Sequence, residues 1–230
     1  MCSRYRLTSP PEAVRTLLAT TNDEVYPPRT NIAPTQPVHV ARLDERGQRR
    51  LDLVRWGLIP AWAKDPRELA LLFVARSETT LEKPTYRAGM RYRRCLVPAD
   101  GYYEWTGPKG TRQPHLVQPL QPGPIVFAGI WDHWLGADGS EMESMAILTV
   151  AAGPDVADLS ERMPAILHPG QFERWLDCRG CPAVQAAAFL RPAMAGQLRS
   201  IEVTRTLGDI SETKDDPALR LPETVPRSQN

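Results

Sequence analysis

Apolar residues at helical spacing predict helices in three segments of the chain. The clearest is 11–20, where apolar residues recur at intervals of three and four, and Ser9 precedes a proline pair as the expected N-cap. Proline also opens two later candidates, 169–177 and 182–190. Residues 67–82 fit either a helix or a buried strand, and their periodicity does not decide between the two.

Short β-rich runs fill most of the remaining chain. They occupy residues 38–43, 51–59, 93–106, 115–120, 125–134 and 144–152. Asp100-Gly101 predicts a tight turn inside the third run, and the sequence GADG at 136–139 predicts a hairpin between the last two. No regular βαβ alternation is present, so we predict one α+β domain with a curved or barrel-like, mostly antiparallel β-sheet core and peripheral helices. We expect this domain to span 1–222, followed by a loose C-terminal tail at 223–230.

Composition narrows the class of protein. Lys and Arg number 28 and Asp and Glu 27, a balance that argues against binding of nucleic acid through bulk positive charge alone but leaves room for a local basic groove. No apolar run approaches the length of a membrane span, and the N-terminal sequence lacks the apolar core of a signal peptide. We therefore expect a cytoplasmic protein whose four cysteines are reduced thiols.

Cys2 is the first candidate for chemistry. Methionine aminopeptidase removes Met1 when the second residue is small, and the chain would then begin with an α-amine beside a thiol. Both groups are partly nucleophilic at neutral pH. Such an aminothiol condenses with an aldehyde to an imine, which the thiol captures as a five-membered thiazolidine, a reaction closed to internal cysteines. A cysteine can also occur at position 2 without any role.

Glu104 is the second candidate, because it lies among Tyr102, Tyr103 and Trp105 next to the predicted turn. Aromatic neighbours predict partial burial, and burial raises a carboxyl pKa toward the range useful for proton transfer. A carboxylate that caps a turn at a sheet edge is the alternative, and the pattern alone does not choose.

Arginines recur beside aromatic and loop residues, at Arg4, Arg55, Arg76 and in the run 87–94. Guanidinium groups bind phosphates and aromatic faces stack on bases, so this pattern suits a single-stranded nucleic acid. A short basic run is more often a solvated surface, and Trp62 is typical of a core residue as well as of a stacking platform.

Cys178 and Cys181 form a C-x-x-C motif without a second pair to complete a zinc site. Cys95 and His168 could add ligands only through an accident of folding, and no βαβ context supports a redox role. The histidines at 39, 115 and 133 lie in β-rich runs and are interpreted as sheet-face residues without a hydrolytic triad. We predict neither a metal nor a cofactor.

Seven sequence blocks occur in a specific order along the chain. They are MCSRY at the start, NIAPTQ at 31–36, RWGLIPAWAKD at 55–65, ARSET at 75–79, RCLVPADGYYEW at 94–105, FAGIW at 127–131 and RMPAIL at 162–167. Together they resemble the SRAP (SOS response-associated peptidase) family of abasic-site processing proteins, over nearly the whole chain. The blocks are far more specific collectively than any one of them.

The resemblance implies that Cys2, as the mature N-terminus, bonds covalently to the ring-opened sugar aldehyde of an abasic site in single-stranded DNA. The thiazolidine crosslink would shield the lesion. Glu104 matches the glutamate that moves protons during imine formation and is linked to removal of the residue before the cysteine. The family also implies strand cleavage by β-elimination, so peptidase and lyase activities are both expected. We expect a monomer that acts on DNA in the cytoplasm and nucleoid, with no membrane partner.

The resemblance also implies a DNA-binding surface. The matching positions are Arg4, Arg76 and Arg162 for phosphates, and Asn31 and Pro34 for the loop near the active site. From its place in the chain alone, Trp62 is added to the expected DNA-binding residues as a stacking platform.

Three positions depart from the family pattern. Val74 stands where the family has an asparagine, and valine donates no hydrogen bond. Ser160 stands where the family has a histidine, and a hydroxyl does not exchange a proton near pH 7 as imidazole does. Ser3 replaces the glycine that follows the cysteine. The nucleophile and one acid/base group remain, while two polar partners are missing.

Three functions stay open on the sequence. The first is slower crosslinking of abasic DNA, with poorer reversal or strand cleavage. The second is non-covalent binding of DNA by a divergent paralogue. The third is a cysteine N-terminal-nucleophile peptidase or amidase, which the arginine positions disfavour.

Overall fold

Two β-sheets carry the fold of residues 3–108 and 110–204, the part of the chain that the computed structural model describes. The strands are β1 (Tyr5–Leu7), β2 (Arg29–Ile32), β3 (Pro37–Leu43), β4 (Arg49–Trp56), β5 (Val74–Arg76), β6 (Arg94–Ala99), β7 (Gly101–Thr106), β8 (Gln113–Pro119), β9 (Ile125–Leu135), β10 (Glu141–Ala151), β11 (Arg162–Pro164), β12 (Ile166–Leu167) and β13 (Leu198–Glu202). The α-helices are α1 (Pro11–Leu18), α2 (Pro84–Tyr92), α3 (Phe172–Leu176) and α4 (Ala183–Ala187). The pattern is a single α+β domain with a mostly antiparallel core and peripheral helices, as predicted.

Five strands of the larger sheet close into a barrel. β10 is antiparallel to β9 and parallel to β4. The remaining neighbours in the ring, β4–β3, β3–β6 and β6–β9, are antiparallel pairs. β5 and β11 extend the sheet along β10, and β12 extends it along β9. Residues 126–130 of β9 are buried throughout, because α2 packs on the outside of the barrel wall and side chains fill the inside. A strand whose two faces are both covered has consecutive apolar residues, and not an alternation of apolar and polar residues.

The smaller sheet, in the order β13-β8-β7-β1-β2, packs on the barrel through aromatic rings. Tyr5 of β1 meets Trp56 edge-to-face, with ring centroids 5.1 Å apart. Phe127 of the barrel lies 6.1 Å from both Tyr5 and Tyr102 of β7. Such pairs contribute about 0.5–1.5 kcal/mol each beyond the area that they bury. These contacts fix β1 and β7, the two strands that carry the candidate site, against the barrel.

The predicted turn at Asp100-Gly101 is a corner between the two sheets and not a hairpin. β6 belongs to the barrel and β7 to the smaller sheet, so the two strands do not pair with each other. A Cβ at Gly101 would lie 2.5 Å from the carbonyl oxygen of Val117, so only glycine fits this close approach. The Asp100 carboxylate accepts the backbone N–H of Ser9 at 2.7 Å, which holds the corner against the start of α1.

The predicted helices and strands agree with the structure in part. The strands and the GADG hairpin are confirmed, and the helix predicted at 11–20 is α1, although its N-cap is Pro10 and not Ser9. Segment 67–82 holds only the short strand β5 between 3₁₀ turns. Helices α3 and α4 are shorter than predicted, while α2 and the short strands β1, β2, β11, β12 and β13 were missed. The predicted tail at 223–230 lies outside the described residues.

Arg94 joins the barrel to the C-terminal helices. Its side chain is 2% exposed. The guanidinium donates hydrogen bonds to the carbonyl oxygens of Met90, Trp175, Asp177 and Cys181, at 2.5–3.0 Å. The C-x-x-C segment is therefore a turn organised around a buried cation. Within the described ranges, no helix is long and apolar enough to cross a membrane.

Candidate active site

Glu104 lies in β7 on the face of the smaller sheet that turns toward the barrel. Glu104 is only 4% exposed to solvent, and this burial raises the pKa of its carboxyl group. The positive charge of the amino terminus and, to a smaller extent, the nearby Ser160 hydroxyl lower this pKa, but burial has the larger effect. The predicted burial of this carboxyl group is confirmed, and the result is an acid/base group held away from bulk water.

Ser160 sits in the segment between a 3₁₀ turn at Pro154–Val156 and β11. Its Oγ accepts the backbone N–H of Arg162 at 3.3 Å, and its hydroxyl lies near enough to Glu104 to lower the pKa of that carboxyl group. The position at which the resemblance implies a histidine is therefore filled by a group that acts on the carboxyl group but holds no exchangeable charge near pH 7.

The register of β1 on β7 brings Ser3 onto the face that carries Glu104. Tyr5 lies opposite Tyr102, and the N–H of Tyr103 donates to the carbonyl oxygen of Arg4 at 3.0 Å. Residues directly opposite in an antiparallel pair share a face, so the next pair in this register is Ser3 with Glu104. Cys2 itself lies outside the described residues.

The Arg4 guanidinium folds back toward the chain end and donates to the carbonyl oxygen of Ser3 at 2.7 Å. Burial lowers the pKa of this half-buried arginine. An arginine nevertheless stays protonated at any physiological pH. Arg4 therefore places a permanent positive charge beside the residue that follows Cys2.

Arg162 is held by a carboxylate. Its two terminal nitrogens lie 2.6 and 2.9 Å from the two oxygens of Glu78, and Nη2 also donates to the carbonyl oxygen of Thr149 at 2.6 Å. The hydrogen bonds from Arg162 lower the pKa of Glu78 to about 2. Arg76 is opposite Thr149 in the β5–β10 ladder and is exposed. Arg76 thus offers an accessible cation, whereas Arg162 is already neutralised.

Val74 packs against the apolar core and makes no polar contribution to the site. It is half-buried in β5, opposite Ile147 of β10. The missing polar partner is thus replaced by apolar packing and not by another donor.

Asn31 and Pro34 flank the end of β2 beside β1. Ile32, the last residue of β2, is opposite Tyr5, so the following Pro34 lies at the end of the sheet where Ser3 lies. The N–H of Thr35 bonds the carbonyl oxygen of Trp56 at 2.6 Å, with φ at +78°, and fixes this loop. Both predicted residues are half-buried.

Trp62 is 59% exposed, which excludes the core alternative. The loop on either side is anchored: the N–H of Ala61 donates to Asp132 at 3.0 Å, and the Trp134 indole N–H donates to the carbonyl oxygen of Ala63 at 2.7 Å. A fixed backbone thus presents a large exposed aromatic side chain.

The structure brings some predicted residues together and leaves others apart. Glu104, Ser160 and Ser3 converge on one face, and Arg76 lies beside the Arg162–Glu78 pair. Sequence reasoning missed Glu78, although it lies within the ARSET block. It also passed over His115 as a mere sheet-face residue.

Metal ligands do not cluster within the described ranges. No group of three or more His, Cys, Asp and Glu side chains there could hold a metal ion. Cys95, Cys178 and Cys181 are free thiols, and burial strongly raises the pKa of Cys95.

Known proteins share both the sequence pattern and the fold. The chain is 32% identical over 181 residues to abasic site processing protein YoqW of Bacillus subtilis, covering 78% of this chain and 80% of that protein. It is 33% identical over 179 residues to abasic site processing protein HMCES of Gallus gallus, covering 67% of this chain but 53% of that protein.

Solved structures show the same fold. A Bacteroides thetaiotaomicron protein superposes with a TM-score of 0.82 at 21% identity, covering 95% of this chain and 98% of that one. A Bordetella bronchiseptica protein superposes with a TM-score of 0.76 at 28% identity, covering 88% and 100%. The family model for SOS response associated peptidase (SRAP) matches residues 1–210. The chain belongs to the SRAP family.

Proposed function

We propose that this chain processes abasic sites in single-stranded DNA by forming a thiazolidine crosslink through Cys2. One observation carries the proposal: the β1–β7 register, in which Tyr5 lies opposite Tyr102 and Tyr103 bonds Arg4, brings Ser3 opposite the buried acid Glu104 when it is continued past Arg4. Consecutive Cα atoms are about 3.8 Å apart, so chain connectivity alone keeps Cys2 close to that pair. The names of the curated relatives support the same lesion as substrate.

The reaction consumes one aldehyde and releases one water. Removal of Met1 exposes the α-amine of Cys2, which attacks the C1′ aldehyde of the ring-opened sugar to give a carbinolamine. The C–O bond of the carbinolamine then breaks as its hydroxyl group takes a proton from Glu104 and leaves as water, and the nitrogen lone pair forms the C=N bond of a protonated imine. The thiol sulfur adds to the imine carbon, its proton returns to the Glu104 carboxylate, and the five-membered ring closes.

Glu104 supplies the proton for the loss of water. Its raised pKa keeps more of the carboxyl group protonated as the pH approaches neutral than an exposed glutamate would. The departing hydroxyl takes that proton, and the resulting carboxylate accepts the hydrogen bond of Ser160. The same carboxylate polarises a water molecule for hydrolysis of the Met1–Cys2 peptide bond, which removes Met1.

Ser160 in place of an imidazole makes the chemistry slow. A well-placed general acid/base contributes about 10² to 10⁴ in rate. Ser160 keeps the hydrogen bond to Glu104 but moves no proton of its own, and Val74 adds no donor. We propose measurable crosslinking that is slower than that of a family member with both polar partners.

The DNA contacts follow from the same geometry. Arg4 and Arg76 bind phosphates near the site, while Arg162 contributes less because Glu78 neutralises it. The exposed ring of Trp62 stacks on a base. The protein acts on DNA as a monomer in the cytoplasm.

The test is adduct formation with a single-stranded oligonucleotide that carries one abasic site, followed on denaturing gels. We expect a heat-stable adduct with the wild type, no adduct with Cys2→Ala at unchanged affinity, and a rate about 10² lower with Glu104→Gln. Glu82→Gln, an exposed carboxylate on the α2 side, is the matched control and should react as the wild type. Tight binding without any adduct would replace the proposal with non-covalent DNA binding.

A further inference from the structure

A row of three titratable side chains crosses the smaller sheet on the face that carries Glu104. In the β7–β8 ladder Glu104 lies directly opposite His115, and in the β8–β13 ladder His115 lies directly opposite Glu202. Directly opposite residues share a face with Cβ atoms about 4.5–5.5 Å apart. His115 is therefore the cross-strand neighbour of the buried acid.

The imidazole of His115 leans toward β7. Its Nε2 lies 2.9 Å from Oγ1 of Thr106, which is two residues after Glu104 and so on the same face of the same strand. His115 and Thr106 are half-buried, while Glu202 on the edge strand is exposed. The imidazole ring is thus held next to β7, the strand of Glu104, and not next to the exposed edge strand β13.

Two charged side chains of the described residues face His115 from the strands that pair with β8. β7 and β13 are the two strands paired with β8, and they contribute Glu104 and Glu202 to this face. Arg6 and Tyr103 belong to the opposite face, since they alternate with Tyr5 and Tyr102. Both facing groups are acidic, and Glu104 is the buried one of the two.

We propose that His115 is a positioning residue for Glu104, and that its protonation compensates for the serine at position 160. When Glu104 gives its proton to the departing hydroxyl, the imidazolium of His115 stabilises the carboxylate left behind. Return of a proton to Glu104 completes the cycle. The inference rests on the proposed crosslinking reaction, and it assigns the imidazole role to a neighbouring strand of this chain.

The test compares His115→Gln with His133→Gln. Glutamine keeps a hydrogen-bonding group near Thr106 but takes no proton, and His133 is an exposed control on β9 whose Nε2 lies 3.2 Å from Glu141. Adduct rates with the abasic oligonucleotide are measured from pH 5 to 8.5. We expect His115→Gln to react about tenfold more slowly and to lose one limb of the wild-type profile, with His133→Gln unchanged. A wild-type pH profile in His115→Gln overturns the proposal.

A second measurement does not depend on crosslinking. The ¹³C shift of the Glu104 carboxyl group is titrated by NMR in wild type and His115→Gln. Loss of a neighbouring positive charge should move the Glu104 midpoint to higher pH, and an unchanged midpoint overturns the inference even if adducts form. If the wild type forms no adduct but the midpoint moves, the proposed reaction fails while the coupling between the two residues stands.

Discussion

The hydroxyl of Ser160 lies close enough to the buried carboxyl group of Glu104 to lower the pKa of that group, so the position at which the resemblance implies a histidine still acts on the acid. A histidine there would both favour the ionised carboxylate and exchange protons with it. Ser160 favours the ionised carboxylate, but it cannot take up or release a proton near neutral pH. The site therefore keeps its electrostatic support and loses a proton carrier.

Ser160→Ala should raise the pKa of Glu104 further above its ordinary value. The pKa of Glu104 is higher in the folded state than in the unfolded state. The neutral carboxyl group therefore stabilises the fold fully at pH values below the unfolded-state pKa, and this contribution is lost as the pH rises through the folded-state pKa. The variant should therefore lose more stability at pH 7 than at pH 4, by about 1–3 kcal/mol at pH 7. Urea unfolding at both pH values measures this, and an equal loss at both would contradict it.

Glu78→Gln should tighten DNA binding by releasing Arg162. The amide no longer neutralises the guanidinium, which then becomes available to a phosphate. We expect a several-fold lower Kd for single-stranded DNA and a salt dependence steeper by about 0.7 in log–log slope. Fluorescence anisotropy over a salt series measures both, with Glu82→Gln as the control. An unchanged slope would mean that Arg162 stays out of the interface.

The same variant should also change the acid stability of the fold. The pKa of Glu78 is lowered from its ordinary value of 4.5 to about 2. Its ion pair with Arg162 therefore stabilises the fold at pH values above 4.5, and this contribution is lost as the pH falls toward 2. Glu78 is half-exposed, which limits the contribution to about 1 kcal/mol.

Trp62→Ala should weaken DNA binding without destabilising the fold. A base stacked on an aromatic ring contributes about 1–3 kcal/mol, and this ring is exposed and buries little apolar area. The measurements are the Kd for single-stranded DNA and the Tm. Leu135→Ala, at a side chain 61% exposed, is the control for loss of an exposed apolar group. Equal affinities of Trp62→Ala and wild type would remove Trp62 from the DNA surface.

Arg94→Lys should destabilise the protein strongly although it preserves the charge. An ammonium group cannot reach the four carbonyl oxygens that the planar guanidinium satisfies. We expect a loss of about 3 kcal/mol or more in the free energy of unfolding. Arg91→Lys, on the exposed face of α2, should stay within about 0.5 kcal/mol of the wild type. Similar urea midpoints for the two variants would show that the carbonyl cluster is satisfied without Arg94.

The sequence predicted the fold class and the burial of Glu104, because apolar runs and aromatic neighbours are local signals. It did not predict that β6 and β7 belong to different sheets, since a tight turn looks the same at a hairpin and at a corner. The cross-strand pair of Glu104 and His115 depends on register, which residue patterns leave open until the connecting loop is known. The neutralisation of Arg162 by Glu78 joins residues 84 positions apart, beyond the reach of any spacing rule.

We propose above that Cys2 reacts as a free amino-terminal aminothiol. Intact mass spectrometry of the protein before and after incubation with a single-stranded oligonucleotide carrying one abasic site follows this reaction. We predict a starting mass that lacks Met1 and, after incubation, a heat-stable adduct equal to the sum of protein and oligonucleotide less one water, absent in Cys2→Ala. A correctly processed amino terminus that gives no adduct would contradict the account.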